Sequence, residues 1–122
     1  MDSELRQVIW SRSRGYCEVC GLSVDENIWA AHHRKLRKHG GQDTPQNMMV
    51  LHPACHNGGT RSVHLSPARA YEHGWLVRSH EDPDAIPVAL AARRWVFFLH
   101  NGDYLAIIPK AKEDTDEGAD PR

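Results

Sequence analysis

Apolar positions at the start of the chain recur at helical spacing. Leu5, Val8, Ile9 and Trp10 form a stripe that predicts a helix over residues 3–14. Ser3 stands where an N-cap is wanted, Glu4 lies in the first turn, and Arg12 and Arg14 suit the C-terminal end before Gly15 stops it. The pattern then shortens. Ile28-Trp29-Ala30-Ala31-His32-His33 predicts a strand, and Met48-Met49-Val50-Leu51 a second apolar strand or turn. Between them, residues 34–46 form a polar, basic loop broken by Gly40-Gly41 and Pro45. Pro53 fits the first position of a short helix that carries Cys55 and His56 and is interrupted by Gly58-Gly59. Ser66-Pro67 opens another helix, with Ala68, Ala70 and Tyr71, that Gly74 ends. Trp75-Leu76-Val77 predicts a strand, and residues 86–90 and 95–99 are further apolar runs. Asn101-Gly102 between residues 95–99 and 104–108 is the signal of a type I′ hairpin. From Lys110 onward the chain is acidic and poor in apolar residues, which predicts a disordered tail over 110–122. The elements add up to an α+β domain.

Length and composition narrow this picture. A chain of 122 residues makes one domain with a modest core, for which a covalent or metal staple matters. No apolar run approaches the ~20 residues that cross a bilayer. No basic stretch followed by an apolar one opens the chain, so a cytoplasmic location is expected. The net charge of −1 hides segregation: residues 28–79 carry +5, residues 1–27 carry −2 and residues 80–122 carry −4. The same middle segment is rich in histidine. A basic face of this kind suits a polyanion, although a solvated charged surface gives the same count.

Three cysteines are an odd number for a disulfide framework, and all three fall within two x2 pairs, Cys17/Cys20 and His52/Cys55. Cys17, Cys20, His52 and Cys55 have the spacing C-x2-C-x31-H-x2-C. Zinc takes four such ligands in a tetrahedron, and ligands two residues apart grip it from one turn. The alternative is three buried reduced cysteines beside a surface histidine. Inside this frame stand His32 and His33. Strand neighbours point to opposite faces, so one can ligate a metal while the other addresses water or substrate. An imidazole suits a general base at neutral pH.

The ordered set Cys17-x-x-Cys20, His32-His33-Arg34, Gly40-Gly41, Asn47 and Cys55-His56 resembles the HNH endonuclease family over about residues 14–74. The resemblance implies a ββα-metal finger around one catalytic divalent ion, here with a zinc knuckle and an N-terminal helix. Residues 75–109 then resemble the small β-hairpin extension of some bacteriophage members. It also implies roles, residue by residue. His33 is the general base that activates water. His32, His56 and His64 are ligands of the catalytic metal (Mg²⁺, Mn²⁺, Ni²⁺, Co²⁺ or Zn²⁺). Asn47 holds the loop and orients the base. Two departures stand out. His52 occupies a position that is cysteine in most zinc-containing members, and His64 follows His56 by eight residues, where one helical turn is usual.

Arg34, Lys35, Arg37 and Lys38 beside the histidines are expected to meet DNA phosphates. Such contacts give affinity rather than sequence preference. The expected activity is therefore metal-dependent hydrolysis of DNA phosphodiester bonds, by nicking or double-strand cleavage, with low sequence specificity. By resemblance the setting is a bacterial host cell, near phage packaging machinery. The alternative is a zinc-knuckle module that binds nucleic acid without catalysis; such a module needs the cysteines and the basic loop but not the pair His33 and His56.

Overall fold

The structure is a computed structural model that describes residues 2–91 and 94–107. The acidic tail expected over 110–122 and the final residue of the strand expected over 104–108 lie outside the described residues. The elements are α1 (Ser3–Ser13), β1 (Ala30–His33), β2 (Met48–Leu51), α2 (Pro67–Glu72), β3 (Val88–Leu90), β4 (Arg94–Phe98) and β5 (Tyr104–Ala106). A wide helical turn of π type, Ala54–Gly58, follows β2. The expected α+β class holds, with two strands, a helical turn and a small C-terminal sheet. Among the described residues no helix is long and apolar enough to cross a membrane.

Helix α1 buries Leu5 and Ile9, one turn apart on the same face. Its cap is Asp2 rather than Ser3: the Asp2 carboxylate accepts from Leu5 N at 2.8 Å. Either residue type can cap; the helix starts at residue 3 as expected, and the cap lies one residue earlier. Arg14 ends it in the left-handed region, at φ 56°.

Strands β1 and β2 form an antiparallel pair with His33 opposite Met48 and His32 opposite Met49. All four residues of β2 are fully buried, so this strand is the centre of the core. The cysteine knuckle packs on it directly, since Glu18 N donates to Val50 O at 2.8 Å. Beneath it lies a buried polar cluster. The Arg12 guanidinium meets both Glu18 carboxylate oxygens, at 2.9 and 2.8 Å, and also donates to Pro45 O and Met48 O. Glu18 further accepts from Val50 N and from the Tyr104 hydroxyl. Each charge is fully hydrogen-bonded, which is the condition under which a buried ion pair is tolerated.

Two expectations change. Trp75-Leu76-Val77 pairs in no ladder. Trp75 N and Leu76 N both donate to Ala70 O, so the run wraps the end of α2, while Val77 N donates to Arg34 O. Its three apolar side chains are buried, and burial was the property the run encoded. The connection of β4 to β5 is a three-residue loop, His100-Asn101-Gly102, closed by Leu99 N donating to Asp103 O. Only Gly102 has positive φ there, at 90°, so the turn is not type I′, which needs two such residues. Strand β3 adds to this hairpin and makes a three-stranded sheet in the order β3-β4-β5.

Candidate metal centre

The knuckle brings Cys17, Cys20, His52 and Cys55 together, with their ligand atoms all within 4.8 Å of one another. The local backbone explains the first pair. Cys17 N donates to Leu22 O and Gly21 N donates back to Cys17 O, with Gly21 at φ 80°. That tight turn aims Cys17 and Cys20 the same way. His52 at the end of β2 and Cys55 in the helical turn supply the other two. The His52 ring donates from Nε2 to Ser23 O at 2.8 Å, so Nδ1 keeps its lone pair and faces the Cys20 sulfur at 3.2 Å. Burial and the neighbouring sulfurs push the Cys55 thiol up to about 12, and burial also raises Cys20. Thiols crowded in this way resist ionising together until a cation joins them. The set fits a metal ion, as the spacing predicts.

The second cluster is His32, His56 and His64, again with ligand nitrogens within 4.8 Å of one another. The three rings meet edge to face, with centroids 4.7 to 5.3 Å apart. His32 reaches it from β1 and is buried. Its Nε2 donates to Trp75 O at 2.6 Å, and its buried Nδ1 has no hydrogen-bond partner. A buried imidazole nitrogen left with a bare lone pair among two other imidazoles fits a metal ligand, and the carbonyl behind it is the usual orienting partner. Burial drives the His32 pKa down to about 3, and burial lowers His56 and His64 as well. All three are therefore neutral at pH 7, the form that can ligate. His64 is exposed and His56 half-buried, so the cluster opens to solvent on one side.

The eight-residue gap before His64 is absorbed by the backbone. Val63 N donates to Cys55 O at 2.8 Å and His64 N donates to His56 O at 3.1 Å. The segment 57–62 loops out, and His64 returns beside His56 with its Nε2 3.1 Å from that of His56.

His33 follows His32 but points elsewhere. Its Nε2 lies 2.7 Å from Asp43 Oδ1, and its side chain is 20% exposed. The Asn47 side chain makes no hydrogen bond to it. The Asn47 amide accepts from Lys35 N and donates to Lys35 O and Gln42 O, so it closes the loop between the strands. The loop-holding role expected for Asn47 is there; direct orientation of the base is not, because every amide hydrogen bond in the structure goes to that loop.

The basic loop also differs from expectation. Arg34 is 0% exposed. Its guanidinium donates to Gly74 O, Gln46 O, Pro83 O and Ile86 O, and so it is a structural cross-brace with no face for a phosphate. Burial lowers its pKa to about 9, which still leaves it charged at neutral pH. Lys35 donates to Glu81 O, and exposed Arg37 pairs with Asp43 at 3.1 Å. Lys38 is exposed.

The sequence reading missed three partners: Asp43, and the carbonyls of Trp75 and Ser23. Carbonyl partners leave no mark in side-chain identity. Asp43 did leave one, as the sole acid in an otherwise basic loop.

A mixed helix-and-sheet domain with a cysteine knuckle and a histidine cluster defines the class. Residues 17–62 match the family model described as HNH endonuclease. The match covers less than half of the chain, holds the whole knuckle with His32, His33, Asn47 and His56, and stops just before His64. The resemblance read from those motifs is thus found independently. No curated protein and no solved structure matches the chain.

Proposed function

We propose that this chain is a metal-dependent endonuclease that hydrolyses DNA phosphodiester bonds. The observation that carries the reading is the neutral, solvent-open trio His32, His56 and His64, joined to the cysteine knuckle through the adjacent residues Cys55 and His56. A knuckle that only binds nucleic acid has no use for this second cluster.

Zinc fits the knuckle by its sulfur-rich donor set, and a divalent ion fits the three imidazoles. That ion, when bound, supplies positive charge to the scissile phosphate and the leaving 3′ oxygen. The chain's own residues do the rest. His33 takes the proton of the attacking water. Trp75 O holds the His32 ring in the tautomer that presents Nδ1. Asn47 closes the loop beside the site. Lys35, Arg37 and Lys38 meet neighbouring phosphates; Arg34 does not. Sequence preference is weak, since α1 is packed on the core and α2 is only a turn and a half long. Three imidazoles favour Mn²⁺, Ni²⁺, Co²⁺ or Zn²⁺ over Mg²⁺, which prefers oxygen ligands.

Plasmid cleavage tests the reading with Mg²⁺, Mn²⁺, Ni²⁺ or EDTA, comparing wild type with His33→Ala. Wild type cuts with the transition metals and not in EDTA. The His33→Ala variant loses roughly 10²–10⁴-fold in rate, the range of a general base. Equal rates for the two proteins under every metal overturn the assignment of His33. A metal analysis of purified protein is expected to find one tightly held zinc, lost on Cys55→Ser.

A further inference from the structure

The geometry points to Asp43 as the residue that positions His33, a role which the family resemblance places on Asn47. This rests on the reading of His33 as the base. A carboxylate can only accept, so the 2.7 Å contact from Asp43 Oδ1 requires His33 to carry its hydrogen on Nε2. In the neutral ring Nδ1 is then the nitrogen with a lone pair. Asp43 thereby selects which ring atom receives the proton, and it stabilises the imidazolium once the proton has moved from water to Nδ1.

Two further contacts make Asp43 a fixed partner rather than a passing one. Arg37 Nη2 meets both of its oxygens, at 3.2 and 3.1 Å. Asn47 donates to Gln42 O, the peptide just before Asp43, at 2.9 Å. The loop is therefore tied at Lys35, at Gln42 and through Arg37, and Asp43 is delivered to His33 by that closure. The hydrogen bond from His33 and the charge of Arg37 both hold the Asp43 carboxyl below the usual carboxylate range, so it is ionised at neutral pH. Asn47 acts at one remove, by shaping the loop that carries the acid.

Steady-state cleavage of a short duplex by the zinc-loaded full chain tests this, with Mn²⁺ as the second metal. Asp43→Ala is expected to lower kcat roughly 10- to 100-fold, part of the general-base contribution, with KM within about twofold. Asp43→Glu is expected to recover a large part of the rate. In 15N spectra of the wild-type imidazoles, with Mg²⁺ in place of Mn²⁺, His33 shows its hydrogen on Nε2, and Asp43→Ala shifts the tautomer mixture. An Asp43→Ala variant with unchanged kcat, beside an inactive His33→Ala variant, overturns the proposal while leaving the base assignment standing. A fully active His33→Ala variant overturns both. If Asp43→Ala does not fold, the wild-type spectrum still decides: His33 with its hydrogen on Nδ1 refutes the role.

Discussion

His32 and His52 share one device. Each donates from Nε2 to a backbone carbonyl, Trp75 O and Ser23 O respectively, and leaves Nδ1 facing a cluster of ligand atoms. The carbonyl fixes both the tautomer and the ring angle, so a metal meets a lone pair already aimed. For His32 the burial has a consequence for stability. Its folded pKa, about 3, lies well below the 6.5 of a free imidazole. The unfolded chain therefore takes up a proton at this position between pH 6.5 and 3 while the folded one does not. The contribution is fully present above pH 6.5 and is lost as pH falls below it. Urea unfolding of wild type and His32→Asn at pH 7 and pH 5 measures this. The stability difference between them should shift against wild type by about 2 kcal/mol, the value of 1.5 pH units. A difference independent of pH would mean that His32 is not buried neutral.

Among the elements, the loop between β1 and β2 is the most constrained. Asn47 spends three hydrogen bonds on it, and Gly41 N donates to Leu36 O. A Cβ on Gly41 would overlap the Lys35 carbonyl oxygen, a backbone atom that cannot swing aside. Gly41→Ala is therefore expected to cost about 1–3 kcal/mol in urea unfolding, as overpacking does, and to slow cleavage by displacing Asp43. Gly40→Ala is the control, because no atom lies near its added Cβ, although its φ of 87° brings a strain of its own, about 1 kcal/mol. Equal losses for the two would refute the close-approach argument. The turn Ala54–Gly58 shows the opposite strategy. An insertion is let out to solvent, and two i to i+8 backbone bonds restore the neighbourhood of His56 and His64.

Across the whole molecule, the Arg12–Glu18–Tyr104 cluster joins α1, the knuckle, β2 and the C-terminal sheet. Arg12 and Glu18 side chains are each 1% exposed. Arg12→Met should leave the Glu18 carboxylate buried without its counter-charge and with one hydrogen bond fewer on each oxygen, a loss of roughly 3–5 kcal/mol. Chemical denaturation with zinc bound checks this, and a loss below about 1 kcal/mol would show that water reaches Glu18. The expected correlate is a looser knuckle, since Glu18 N is bonded to Val50 O. The C-terminal sheet is thus no appendage: Tyr104 closes the polar cluster on which the cysteine turn rests.

Much of this was legible in the chain. Ligand types and their spacing are written in sequence because metal chemistry demands particular side chains, so the cysteine knuckle and the histidines could be read directly. Helix α1, β1, β2 and α2 could be placed from periodicity and from Pro67, because local sterics and burial set them. What the sequence alone could not decide was which partner each polar group takes. Arg34 reads as a phosphate contact and folds into a brace, because four carbonyls from distant segments converge on it. Asn47 reads as the partner of His33, yet Asp43 takes that place. His64 reads as a ligand at an unusual spacing from His56, and backbone bonds across a loop bring it beside that residue. Each of these depends on contacts between residues remote in the chain, and a carbonyl acceptor is the same atom in every residue, so nothing in the local sequence marks it.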